Sequence, residues 1–150
     1  MTRLCLVGEP DVELRYELVS RETSREALST YDLREQYANT VALETVSLGA
    51  AVALLNDLNW YLVRFVRDAL VLEPSISDEE WLSRSLATAI RDDEIDADES
   101  DRFLKIYGID DDELVEPMFV ARTGRDLPEY DLRDVEGTLV VRVTEAEFGA

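Results

Sequence analysis

A surplus of carboxylates constrains this chain more than any other feature: 34 Asp and Glu stand against 15 Lys and Arg, a formal net charge of −19. In dilute buffer such an excess repels itself and loosens a compact state. Salt at about 1 M shrinks the screening length to roughly 3 Å and removes most of that repulsion. The acids are spread along the chain and not gathered in one tail, which favours a solvation coat over an interaction tail. Lys105 is the only lysine and every other cation is arginine. Acid-rich, lysine-poor composition of this kind is the expected look of a protein from a salt-accumulating cell.

The charge does not imply disorder, because 46% of the residues are apolar and a packed interior can form. At 150 residues the expectation is one domain spanning 1–150. Cys5 is alone, so a disulfide framework is excluded. The apolar stretch near Met1 is too short for a secretory signal, and the longest apolar run, Leu48 to Leu55, falls far below the ~20 residues of a membrane helix. A cytoplasmic protein without a membrane partner is expected. Nucleic acid is disfavoured as a partner, since the net charge repels phosphate and high salt removes the counterion-release gain.

Patterning predicts an α+β fold of about six strands, with a buried central helix and an outer pair of amphipathic helices. Leu4–Val7, closed by Gly8, reads as a buried first strand. Residues 12–19 fit strand or helix. Pro10-Asp11 as a start signal favours helix, continued to Leu28 with Thr23 and Glu26 as a second capping pair. Thr40–Val46 is β-branched and reads as a strand. Ser47 is placed to cap the apolar helix Leu48–Leu58, which Asn59 ends. Trp60–Val66 and Ala69–Leu72 read as strands joined by a tight hairpin at Arg67-Asp68. Ser77 with Glu80, and Asp96 with Glu99, are capping boxes. The first predicts a helix through Trp81, Leu82, Leu86 and Ile90, the second one through Phe103 and Tyr107. Leu114–Ala121 and Thr138–Val143 are the last two strands, with Arg122–Gly137 the longest loop.

The chain has no histidine, which removes the commonest general base and metal ligand. It also lacks a second cysteine, a GxGxxG stretch and a Gly-Lys-Ser/Thr loop, and no cofactor and no metal site are expected. Asp110-Asp111-Asp112-Glu113 lacks the spaced ligands and central glycine of a calcium loop and reads as a solvated acidic turn. The polar cluster Asn56, Asp57 and Asn59 follows the buried helix. It either caps that helix or forms the rim of a ligand crevice. Glu44 and Arg64 each interrupt an apolar run, and they would pair if their segments were neighbouring strands.

The stretch Glu44-Thr45-Val46-Ser47-Leu48-Gly49, running into Leu54-Leu55-Asn56-Asp57-Leu58-Asn59-Trp60-Tyr61-Leu62-Val63-Arg64, resembles an uncharacterised haloarchaeal protein family of unknown function. Cys5-Leu6-Val7-Gly8 and Leu139–Val143 fit the same family. The resemblance implies a salt-adapted cytoplasm and no particular activity. The favoured expectation is a non-enzymatic binding or regulatory domain, acting as a homo-oligomer or with a protein partner through Glu44, Asn56, Asp57, Asn59 and Arg64. The alternative is a carboxylate-based or metal-assisted enzyme centred near residues 56–59 with Glu44. Circular dichroism on transfer from molar to millimolar salt is expected to show loss of structure. Full stability in near-pure water would instead assign the acids to a cationic partner.

Overall fold

A computed structural model describes residues 1–124 and 135–148. In chain order the strands are β1 (Thr2–Gly8), β2 (Thr40–Thr45), β3 (Val66–Leu72), β4 (Trp81–Ser83), β5 (Phe103–Asp110), β6 (Glu113–Ala121) and β7 (Gly137–Val143). The helices are α1 (Leu14–Val19), α2 (Glu22–Leu28), α3 (Leu48–Asp57), α4 (Asn59–Phe65), α5 (Arg84–Arg91) and α6 (Glu145–Phe148). The fold is α+β. Among the described residues seven strands form one mixed sheet in the order β2-β1-β3-β4-β7-β5-β6, in which β4 and β7 are the one parallel pair.

Alternation along the strands sends side chains to two faces. Leu4, Leu6, Val41, Leu43, Ala69 and Val71 pack beneath helices on one face. Cys5, Val7, Leu70, Leu72, Tyr107 and Val141 form a second apolar cluster on the other. The sheet curls over this second face. Asp68 on β3 touches Lys105 and Tyr107 on β5 at 2.7 Å, although β4 and β7 lie between those strands. In a flat sheet three strand spacings would separate them by about 14 Å. The rims meet as well: Ala38 N–H, just before β2, donates to the Asp112 carbonyl in the β5–β6 turn at 2.7 Å. The outer edge of β2 is capped by a bridge between Arg34 and Ala42.

Several local expectations are corrected by packing. Trp60–Val66 is rich in strand formers, yet it is helical up to Phe65. Leu58, Tyr61 and Leu62 are buried and Phe65 packs against them, which is a stripe at i, i+3, i+4 and i+7. Arg67-Asp68 is therefore no hairpin. The β1–β3 register steps from Val7↔Asp68 to Gly8↔Val66, so Arg67 is the extra residue of a β-bulge. Phe103–Asp110 is a strand and not a helix, because both of its faces are buried and two-sided burial hides the alternation. The outer helix pair thus reduces to α5. The Asp96 cap opens only a single 3-10 turn, Ala97–Glu99. Ser77 accepts from the Glu79 and Glu80 amides in a turn, and the cap that starts α5 is Ser83, whose Oγ accepts from Leu86 N–H at 3.1 Å.

Other expectations hold in outline. Ser47 caps α3 through Ala50 N–H at 3.0 Å, and α3 buries Ala51, Val52, Leu54 and Leu55. Of the expected helix over 12–28, residues 14–28 are helical in two pieces. They break at Ser20-Arg21, where Ser24 Oγ donates back to the Leu18 carbonyl, and the Thr23–Glu26 pair lies within or beside α2 without capping it. Of the expected loop Arg122–Gly137, residues 125–134 lie outside the described residues.

The entry to α1 depends on a close approach. Asn39, at φ 55°, accepts from Leu14 N–H at 2.9 Å and donates to the Glu9 carbonyl at 3.0 Å. A Cβ on Gly8 would stand 2.6 Å from Asn39 Nδ2 and 2.9 Å from Leu14 Cβ. Gly8→Ala is expected to lower unfolding stability by about 1–3 kcal/mol. Denaturant titration in molar salt checks this, and an unchanged midpoint would refute the tight junction.

Candidate functional site

The corner between α3 and α4 gathers four of the five residues singled out in the sequence. Leu58 is both the last cap of α3 and the first of α4, so the chain turns sharply there. That turn leaves Asn56, Asp57, Asn59 and Trp60 exposed on its outside. Arg84, in the first turn of α5, spans the corner. Its Nη1 donates to Asn59 Oδ1 at 2.8 Å and its Nη2 to Asn56 Oδ1 at 3.1 Å. The two amides hold a guanidinium without neutralising it. Partial burial lowers the Arg84 pKa, but an arginine keeps its charge at any ordinary pH.

Arg64 lies along α4 from Asn59. Its guanidinium carbon stands 3.8 Å from the Trp60 ring centroid, and Nη1 donates to the Trp60 carbonyl at 2.8 Å. Arg21 approaches the Phe65 ring at 5.0 Å and the Trp60 ring at 5.7 Å, while its own charge is paired with Glu17 at 3.0 Å. Trp60 is 49% exposed and Val63 is 69% exposed. Burial thus fixes Tyr61 and Leu62 as the inner side of α4 and leaves an aromatic and aliphatic outer side framed by arginine.

Glu44 is elsewhere. It faces solvent on β2, 3.9 Å from Arg3, and lines a separate cavity of about 430 Å³ with Tyr31, Arg34 and Gln36. The Glu44–Arg64 pairing required Trp60–Val66 to be a strand, and it does not form. Acid residues Asp110–Glu113 make a two-residue hairpin turn with Asp111 and Asp112 at φ 52° and 61°.

Sequence reasoning missed the second wall of the corner. Leu58–Arg67 and Trp81–Arg91 contain no acid at all, although acids fill 34 of the chain's 150 positions. Those two runs contain α4 with the start of β3, and β4 with α5. A cleft of about 290 Å³ opens between them, lined by Val63, Val66, Arg67, Arg84, Asp68 and Glu147 among others. The missing acids were a legible signal, but only the fold shows that the two gaps adjoin.

Two further charge clusters are internal. Asp68 Oδ2 accepts from Lys105 Nζ and from Tyr107 Oη, both at 2.7 Å. Burial, with the Asp68 charge beside it, pushes the Tyr107 hydroxyl well up. Cys5 is also fully buried on this face, and burial drives its thiol up to about 12, so it is a poor nucleophile. At the other cluster Glu80 receives Arg122 at 2.9 Å and Arg142 at 2.8 Å, with Asp101 3.5 Å from Arg122. Among the described residues no group of three or more His, Cys, Asp or Glu side chains is arranged to hold a metal ion.

The fold defines an α+β protein with one curled mixed sheet, and sequence comparison supplies its kinship. The chain belongs to a family of unknown function (DUF5804), whose model matches residues 2–109 and so includes the whole α3–α4–α5 corner. No curated protein and no solved structure matches the chain.

The Glu80 cluster generates a pH prediction. Burial raises the carboxyl pKa, but the hydrogen bonds and charges of Arg122 and Arg142 outweigh it and the net shift is downward. A depressed carboxylate stabilises the fold above its unfolded pKa of about 4.3, and that contribution is lost as pH falls through the lower folded value. Glu80→Gln is expected to cost about 3 kcal/mol near neutrality, because it leaves two largely buried guanidiniums without their shared counter-charge. It should also flatten the acid limb. Unfolding followed from neutrality to about pH 3 measures both, and an unaltered acid limb would remove Glu80 from the account.

Proposed function

We propose that this chain is a non-enzymatic binding domain of a salt-accumulating archaeal cytoplasm, docking a protein partner on the α3–α4–α5 corner. One observation carries the reading. On a chain of net charge −19, the exposed faces of α4 and α5 carry no acid and present Trp60 and Val63 among arginines. A surface whose sole task is hydration in brine has no use for an exposed tryptophan and has every use for carboxylates. Trp and Arg are also the side chains that most often dominate protein interfaces. The acidic composition and the lysine content support the salt-adapted setting. The described helices include none long and apolar enough to cross a membrane, which fits a partner met in solution.

Carboxylate or metal-assisted catalysis near residues 56–59 lacks a comparable observation. Glu44 lines a different cavity, while Asn56 and Asn59 are committed to Arg84.

A photo-crosslinking residue in place of Val63 tests the surface, with Val46, another exposed apolar position, as the control. Crosslinks formed in molar salt are expected at 63 and not at 46. Trp60→Ala should weaken them about tenfold or more while changing stability by under about 1 kcal/mol. Equal labelling at both positions, or indifference to Trp60→Ala, would sink the proposal.

A further inference from the structure

From the charges in the α4–α5 cleft we infer that the partner presents an acidic, partly apolar protein segment, with one of its carboxylates seated between Arg67 and Arg84. This identification of the partner rests on the docking surface proposed above.

The cleft holds four charged groups, and they divide into two kinds. Its acids are already engaged. Asp68 accepts from Lys105 and Tyr107, and Glu147 Oε1 accepts from Ser83 Oγ at 2.6 Å and Thr144 N–H at 3.0 Å. Its cations are not matched by acids. Arg84 is held by two neutral amides, and Arg67 lies 5.5 Å from the Tyr107 ring centroid. Neither arginine has a carboxylate within 4.0 Å among the described residues; Arg15, Arg25, Arg64, Arg91 and Arg102 share that state, but Arg67 and Arg84 share it while lining one cleft. Two guanidiniums left without counter-charges at one cleft, in a chain with more than two acids per base, form a site for an anionic group from outside.

Three properties select a carboxylate on a protein. A guanidinium presents parallel donors that match a carboxylate two at a time, and such contacts at close range survive salt that screens distant charges. The cleft, at about 290 Å³, accommodates one side chain and no large ligand. Val63 lines the cleft, and Trp60 stands on the same short helix, so the surface next to the carboxylate seat is apolar. A polyphosphate strand binds through counterion release over many contacts, and molar salt removes that gain.

Selection from a display library of random dodecapeptides, run in about 1 M KCl to keep long-range charge screened, tests the inference on the full chain. The selected pool is expected to be rich in Asp or Glu next to Leu, Phe or Trp. Arg67→Gln should remove the acid preference while leaving the apolar one, and Trp60→Ala should abolish enrichment. For a selected peptide, exchanging its acids for amides should weaken binding to the wild-type chain about tenfold and to Arg67→Gln hardly at all. A Trp60-dependent pool without acids would overturn the carboxylate and leave the docking surface standing. No Trp60-dependent enrichment would overturn both. Tighter binding of a single-stranded oligonucleotide than of any peptide would assign the arginines to phosphate. A dimer in light scattering that Trp60→Ala abolishes would assign the surface to a second copy. Either result would overturn the inference.

Discussion

A sheet whose one face is covered by five helices must still bury its other face, and the way this chain does so shapes the rest of the molecule. Cys5, Leu70, Tyr107 and Val141 are fully removed from water on that second face. The sheet achieves this by curling until β5 stands opposite β3, and Asp68 marks the contact. Its carboxylate receives an ammonium and a phenol from the facing strand. The ion pair is partly buried, so its net worth is smaller than its attraction suggests, while loss of one partner would strand a charge among apolar neighbours. Such a contact is better at fixing which strands face each other than at adding stability. The single lysine of the chain stands here. An ammonium is a compact point charge, and the planar fork of arginine would not occupy the same space between Asp68 and the Tyr107 ring.

The carboxylate surplus acts on the outside of the same frame. It reaches into turns, where Asp93, Asp111 and Asp112 take left-handed backbone conformations. Uniform repulsion makes departures from it informative. A face without acids is not forced by folding, because Asn59, Trp60, Val63 and Arg64 of α4 are exposed as Glu22 and Glu26 of α2 are.

How much of this the sequence disclosed depended on burial. Elements with one wet face, or with a residue-specific signal, were legible: β1 closed by Gly8, β2, the Ser47 cap, β6 and β7. Misreadings fell where tertiary packing overrode local preference. The aromatic run 60–65 has strand propensity, but its apolar residues fall on one helical stripe with Leu58. Phe103–Tyr107 follows a genuine cap at Asp96, and only its two-sided burial makes it a strand. The polar cluster at 56–59 was visible as a cluster, but its partner Arg84 lies 25 residues beyond Asn59. Glu44 and Arg64 were linked through a pairing of strands that required a wrong element.

One irregularity connects the interior to the outer surface. Arg67 and Asp68 look like a turn in sequence, and instead they form a bulge where β3 takes one residue more than β1. In a regular strand these neighbours would face opposite sides of the sheet. The bulge relaxes that alternation, so both side chains address Tyr107: Asp68 through the hydroxyl, Arg67 over the ring. Asp68 is thereby drawn inward to Lys105, and Arg67 lines the α4–α5 cleft. Deleting the extra residue would leave Val66 opposite Gly8 and Asp68 opposite Val7 in an unbroken ladder, with the following side chains of β3 on their present faces and the Arg67 guanidinium gone. The contact that closes the sheet and one cation lining the α4–α5 cleft therefore come from two adjacent residues at the same bulge.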